Sequence, residues 1–493
     1  MKKEILKFIQ NTERKYPSFT REEVSPSYEN KSSRFFNSKK NKLSSNYEKL
    51  QKQKILFDPF FEKYQIKLYE ILEIPKNLTI GVLGILEMNQ TYSREAIATD
   101  NLTNLIGVNK FQKNDSEGYI MQNNRNISEI FLKDKTGKIE LIIDENKVNW
   151  LTTESNIKNQ KLKRSMLING AIVGVLGETK DYHKFIVETL VFWGIQSRFL
   201  QNDKNGEHFE RNMSNALLPR FNSYKEGRLI EDSSFILLIS GFELNDRKPF
   251  RQYYLLMEFI KNSLFSERIE RIILMGSIFE NFECLQTALQ SATKNKELYD
   301  KAFKQVQANF EIFEKFLSSI ISTRKTSIDL MPGPNDSQSP FMPQMNVANL
   351  NFLNESNNNC LNFVSNPYFF NFKGLNILGT SGQNLKELKR YCDYSFEENI
   401  DLMEYLCYWG NLCPKNSGGF EFQEQFDMDK NFEDFAQIFF TGNSEKFDSR
   451  NFYEDNNQSI CKLITVPQFC QSHSCVLLNI ENFECFEIDF NSK

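Results

Sequence analysis

Histidine is almost missing from this chain: its 493 residues contain three, His183, His208 and His473, far apart in the sequence. That scarcity excludes metal centres built mainly from imidazole. Cysteine is sparse as well. The nine cysteines lie between Cys284 and Cys485, include no CxxC pair and are odd in number. Reduced thiols in an intracellular compartment are therefore expected, and not a disulfide framework. Long apolar runs are lacking too: the longest, Leu78 to Met88 and Ala171 to Leu176, fall well short of the roughly 20 residues that cross a bilayer. Met1 to Arg14 carries no continuous apolar stretch of the signal-peptide kind. Neither secretion nor a membrane segment is expected. A surplus of positive charge is also absent. With 60 Lys and Arg against 64 Asp and Glu, the formal charge is −4, which excludes strong autonomous binding to phosphate backbones. Any DNA is expected to be held mainly through a partner.

What is present is the balance of a soluble globular protein, 40% hydrophobic and 25% charged, long enough for two or three domains with cores of their own. Residues 1–56 are polar and rich in lysine (Lys39, Lys40, Lys42, Lys49, Lys52, Lys54). They read as a partly mobile arm whose charges form either a solvated helix face or a phosphate or partner contact. Residues 57–200 read as a small β-barrel. Leu78 to Leu86 is apolar and interrupted by Gly81 and Gly84, as in a strand that bends tightly. Ile130 to Leu132 leads through Asp134-Lys-Thr-Gly137 into the alternation of Ile139, Leu141 and Ile143, a hairpin with glycine at its left-handed position. Leu167 to Gly177 and Phe185 to Phe192 are further strands, and residues 109–127 and 152–163 are long loops. Together they predict a five-stranded barrel of the OB type, a fold that binds nucleic acid or protein.

After a polar linker at 201–230 the pattern changes class. Phe235 to Ile239 and Arg271 to Met275 are short buried strands around a helix over Tyr253 to Leu264, a βαβ unit. Leu298, Ala302, Val306, Phe310, Phe313, Leu317 and Ile320 recur at steps of three and four, a helix whose stripe packs on the sheet. Ser327 to Met331 is a third strand, ended by Pro332, Gly333 and Pro334. Asn346 to Asn362 reads as a surface loop. Strands at Leu375 to Leu378, Ile438 to Phe440, Cys461 to Val466 and Val476 to Ile480 fit a second sheet. The class is mixed, α+β with α/β.

Ligands and catalytic groups of an α/β fold gather at strand ends. A binuclear phosphoesterase centre needs carboxylates and several histidines around two metals about 3.5–4 Å apart. The ends here offer Ser240, Gly241 and Phe242, then Gly276 and Ser277, then Asn335 and Asp336, with Asp329 earlier on the third strand. A hydroxyl brings no charge to offset a metal pair. No catalytic residue, metal or cofactor is expected, although Asn335 and Asp336 keep some ligand character. Cys470, His473 and Cys475 form a compact C-x-x-H-x-C cluster without a fourth ligand, which reads as strand cysteines and a loop histidine more readily than as zinc. Gly379-Thr-Ser-Gly382 lacks the Gly-Lys-Ser/Thr ending of a phosphate loop.

Specific strings then carry a resemblance. Asp329-Leu-Met331-Pro332-Gly333-Pro-Asn335-Asp336 with Pro343-Gln344, then Asn366-Pro-Tyr368, Gly379-Thr380-Ser381-Gly382-Gln383-Asn384 and Arg390-Tyr391, is similar in order and spacing to the second-subunit, or B-subunit, family of the replicative DNA polymerases alpha, delta and epsilon. The Gly-Thr-Ser-Gly-Gln-Asn string favours the delta branch. Thr441-Gly442-Asn443, Thr465-Val-Pro-x-Phe469 with Val476-Leu-Leu-Asn479, Ser33-Arg34-Phe35 and Gly81-Val-Leu-Gly84 resemble further segments of that family. Ser337, Met345 and residues 411–424 depart from its pattern.

The resemblance implies an OB domain followed, over 231–493, by a calcineurin-like phosphodiesterase domain that is inactive. In it Ser240 to Phe242 stand where active archaeal relatives carry Asp-x-His, Ser277 where they carry Asp, Thr380 or Ser381 near a His, and Asn443 in a Gly-His-x-His segment. It implies a nuclear accessory subunit in DNA replication and repair, gripping the C-terminal cysteine-rich domain of the polymerase delta catalytic subunit and carrying the third subunit. DNA is then met through the complex. The alternatives are a metal-dependent phosphodiesterase or nuclease, and an OB module that binds single-stranded DNA.

Overall fold

In a computed structural model of the chain, the residues described are 57–58, 60–88, 129–152, 166–181, 183–192, 234–244, 251–263, 265–278, 296–323, 326–333, 336, 344, 360–389, 398–412, 436–453 and 459–491. They fall into two compact units, one ending before residue 195 and the other containing everything described from 234 onward. The expected arm at 1–56 and linker at 201–230 lie outside the described residues. No helix among the described residues is long and apolar enough to cross a membrane.

The first unit contains Leu68–Tyr69 (β1), Ile80–Met88 (β2), Ile130–Lys133 (β3), Lys138–Ile142 (β4), Asn149–Thr152 (β5), Ile172–Asp181 (β6) and Lys184–Phe192 (β7). Pairing runs β2–β3–β4–β7–β6, and β6 returns to β2, so five strands close a ring. Only the β4–β7 contact of that ring is parallel. Alternation puts Ile139, Leu141, Phe185 and Val187 inside, with Lys184, Ile186 and Glu188 outside. The glycines have a packing reason. A Cβ on Gly81 of β2 or Gly174 of β6 would stand 2.8 or 2.9 Å from the Phe61 ring, so the two glycines make the hollow that this buried aromatic fills.

Three details of this unit differ from expectation. Gly137 is not left-handed. Instead the Asp134 carboxylate accepts Thr136 N at 2.7 Å, Gly137 N at 2.9 Å and, from a neighbouring 3-10 turn, Ile71 N at 2.8 Å. An aspartate that binds its own downstream amides closes the turn without positive φ. The strand predicted from Leu167 begins at Ile172, because Gly170 turns at φ +85°. Thr152 ends β5 and is not loop.

The second unit carries a six-stranded and a five-stranded sheet. The first is ordered Leu361–Phe363 (β11), Ser327–Met331 (β10), Ile269–Met275 (β9), Phe235–Ser240 (β8), Ser474–Asn479 (β17), Cys485–Asp489 (β18). The second is Tyr368–Phe372 (β12), Leu375–Thr380 (β13), Ile438–Ser444 (β14), Ser459–Pro467 (β16), Asp448–Tyr453 (β15). Strands β8 to β11 run parallel, as do β13, β14 and β16. The helices are Arg251–Asn262 (α1), Lys296–Thr323 (α2), Gln383–Lys389 (α3), Asn399–Trp409 (α4) and Phe469–Ser472 (α5).

Every residue of β8 is buried, as a strand covered on both faces requires. Phe235, Leu237 and Ile239 pack with Leu256 and Ile260 of α1 and Phe313, Leu317 and Ile320 of α2. Ile236 and Leu238 turn the other way, to Ile377, Ile438, Phe440 and Ile464 of the second sheet. Helix α4, buried around most of its circumference, covers β15 and β16 from outside and stops at left-handed Gly410. The layers are helix, sheet, sheet, helix, a mixed α/β architecture. Side chains of Leu298, Ala302, Val306 and Phe310 lie outside the description. Asn346 to Asn362 does not end as loop: Leu361 enters the core and Asn362 pairs with Asp329 in the β10–β11 register, because apolar residues flank the asparagine.

Candidate site at the strand ends

The parallel strands of both sheets release their loops at one edge, and those loops meet. Their entry depends on backbone few residues adopt: Gly241, Glu243, Gly276, Ser277, Gly382 and Asn443 all have positive φ. At Gly276 both conformation and space require glycine, since its φ is +55° and a Cβ would lie 2.5 Å from the Gly333 Cα. The loops after β9 and β10 touch there, backbone against backbone.

Hydroxyls and amides fasten these loops to one another. Ser240 Oγ donates to the carbonyls of Val466 (3.1 Å) and Pro467 (2.9 Å) and accepts Asn443 N at 2.9 Å. Asn443 Nδ2 donates to Ser381 O at 2.8 Å, and Ser381 Oγ donates to Pro332 O. The Thr380 and Thr441 hydroxyls pair at 3.0 Å across adjacent strands. Beside them Gln344, Asn366 and Gln383 form an amide cluster: Asn366 Nδ2 reaches Gln344 Oε1 at 2.7 Å and Gln383 Oε1 at 2.8 Å, while Gln383 Nε2 reaches Gln344 Oε1 at 2.7 Å. The Asn366–Pro367 bond in this cluster is cis.

Asp336 is the one acid in this network. Its Oδ1 accepts Ile278 N and its Oδ2 accepts Gly333 N, each at 2.8 Å. Burial pushes its carboxyl up to about 6, partly offset by the amides of Ile278, Gly333 and Ser277, with the nearby Glu243 charge adding to the rise. The side chain is aimed into backbone, where it ties the loops after β9 and β10. Among the described residues no three of His, Cys, Asp and Glu gather as a metal-holding group.

The structure therefore brings together Ser240, Gly241, Gly276, Ser277, Pro332, Gly333, Asp336, Thr380, Ser381, Gly382, Gln383, Gly442 and Asn443; a Cβ on Gly442 would stand 3.0 Å from that of Ser240, and one on Gly379 would strike the Phe440 ring at 2.1 Å. It places four predicted residues elsewhere. Phe242 lies in the helix-side core against Tyr253, Phe316 and Phe469, because a ring at that position has a deep apolar hollow to fill. Met331 belongs to the inter-sheet core, and buried Asn384 donates to Leu412 O at 3.1 Å. Asp329 faces Arg271 at 3.0 Å, Tyr368 Oη at 3.1 Å and Asn362 Nδ2 at 2.8 Å, so it is bound in a buried ion pair between the sheets. Asn335, Arg390 and Tyr391 lie outside the described residues.

The compact Cys–His cluster does not converge either. Cys475 is buried in β17, Cys470 Sγ contacts Glu243 at 3.2 Å, and His473 Nδ1 meets Asn491 at 2.8 Å. Sequence reasoning named Gln344 and Asn366 without finding their role, took Arg271 only as the start of a strand, and did not name Glu243. The strand pattern did contain a signal for Arg271, an arginine opening an otherwise apolar strand.

Residues 236–449, which span most of both sheets and the loops just described, match the family model for the B-subunit of DNA polymerases alpha and epsilon. The chain is 26% identical over 274 residues to the DNA polymerase delta small subunit of Arabidopsis thaliana, covering 54% of this chain and 59% of the relative. It is 26% identical over 284 residues to the corresponding small subunit of Saccharomyces cerevisiae, covering 50% and 55%. With the DNA polymerase delta subunit 2 of Drosophila melanogaster it shares 22% over 332 residues, covering 67% and 70%. The match thus spans under two thirds of the plant and yeast relatives. Over these residues the chain is thus similar to the DNA polymerase alpha/delta/epsilon B-subunit family.

Proposed function

We propose that this chain is the non-catalytic second subunit of a replicative DNA polymerase of the delta type, acting in the nucleus as a scaffold. It grips the C-terminal cysteine-rich domain of the catalytic subunit and links it to the third subunit, so that DNA is met through the assembled complex. The observation that carries this reading is the way four strand-end side chains are spent on backbone, with Asn443 Oδ1 the one buried atom of the four left without a partner. Ser240, Ser381, Asn443 and Asp336 bond to backbone from neighbouring loops, where a hydrolase would aim such groups outward to hold metal and water. We read the layered unit as a calcineurin-like phosphodiesterase fold turned to a structural use, and the closed ring as an OB-type barrel.

Turnover tests the non-catalytic part. The intact protein with added manganese is expected to hydrolyse a generic phosphodiester no faster than buffer. Metal-dependent turnover that disappears in Asp336→Ala would overturn the reading in favour of the nuclease alternative. Four of the described barrel lysines also bear on function: Lys133 and Lys138 pair with Glu87, Lys135 with Glu70 and Lys184 with Glu140. Paired in this way, these four have a carboxylate to displace before they meet a phosphate. Affinity of the isolated protein for oligonucleotides at low salt is expected to be negligible, whereas steeply salt-dependent binding would support the single-strand alternative.

A further inference from the structure

Strand β18 ends the six-stranded sheet, and among the described residues no strand pairs with its outer side. An open edge is a template for another chain, and proteins ordinarily blunt it. This edge is asymmetric in chemistry. Cys485, Glu487 and Asp489 alternate on one face, Phe486 and Ile488 on the other. The carboxylates have local partners only: Glu487 accepts from the Ser474 hydroxyl at 2.7 Å and Asp489 from Asn491 N at 2.8 Å, and neither has a salt bridge among the described residues. Glu484, just before the strand, accepts from Asn482 at 2.9 Å. On the other face Phe486 is 44% exposed, while Ile488 leads into the helix-side core.

From this geometry we infer that β18 is a docking edge for an extended segment of another protein in which basic and apolar residues alternate. Such a segment would continue the sheet by main-chain hydrogen bonds, set its Lys or Arg beside Glu487 and Asp489, and lay its apolar residues along Phe486 and Ile488. The same acidic face excludes a second copy of this chain, since edge-to-edge pairing of two β18 strands would bring carboxylates against carboxylates. The inference does not depend on the polymerase assignment, because it rests on the chemistry of an edge strand that lies outside the matched residues 236–449.

The test is fluorescence anisotropy of the full chain with a labelled peptide of alternating lysine and valine, about seven residues long, an ordinary strand length. Binding that weakens with salt is expected. A peptide of the same composition with its lysines in one block, and a copy N-methylated along one backbone edge, should bind about tenfold more weakly or worse, as should the Glu487→Lys/Asp489→Lys protein. Both substituted positions are exposed, and an unchanged melting temperature would show that the double variant folds. The inference is overturned by absence of binding, by equal affinity for the blocked or N-methylated peptide, by equal affinity in the folded double variant, or by a concentration-dependent dimer in sedimentation that this variant abolishes.

Discussion

Single residues decide whether the strand-end loops can meet. Gly276→Ala would place a Cβ 2.5 Å from the Gly333 Cα at φ +55°, and the combined clash and backbone strain should cost about 2–4 kcal/mol, measured by urea unfolding. Asp336 makes a prediction with a sign. Its carboxyl is raised from 3.8 to about 6 in the folded protein, so between those values the folded state binds more protons than the unfolded. Its contribution to stability is fully present below about pH 4 and is lost as pH rises through about 6. Asp336→Asn should therefore remove a downward slope of stability over that window, and an identical slope in both proteins would contradict the assignment. The positions of these residues were legible because strand ends are where an α/β fold gathers its loops. Their bonds were not, since Ser240 and Val466 lie 226 residues apart and no local pattern announces such a pairing.

At the scale of elements, legibility followed burial. Strand β10 was bounded correctly at Ser327 and Met331, and the βαβ unit before it was found, because continuous apolar runs between breakers read clearly. Edge strands such as β12, β15 and β18 were missed: each pairs with the strand next to it in sequence, but they are half exposed or mixed in polarity and so carry no clear apolar run. Helix α2 holds its face to the sheet through Phe313, Leu317 and Ile320. Leu317→Ala should cost about 2–5 kcal/mol in chemical denaturation, the range of a core cavity. In the barrel unit, a Cβ on Gly174 would stand 2.9 Å from the Phe61 ring. Gly174→Ala should destabilise by about 1–3 kcal/mol, and Phe61→Leu in the same chain should recover part of that loss if the two sites share one space.

Over the whole molecule, two units with different sheet architectures occur in a chain that carries no surplus of positive charge and few imidazoles. The scaffold role proposed above draws on that combination and on the likeness to the polymerase B-subunits. The OB reading of the closed ring and the phosphodiesterase reading of the layered unit both describe folds that host unrelated activities, so the role is decided by partners. Co-expression of the full chain with the C-terminal cysteine-rich domain of the polymerase delta catalytic subunit from the same organism, followed by affinity capture and size-exclusion chromatography, measures this directly. The account predicts a soluble complex of the two at equal stoichiometry, with the cysteine-rich domain insoluble when expressed alone. Recovery of the two as separate soluble proteins, or of this chain alone with the domain left insoluble, would contradict it.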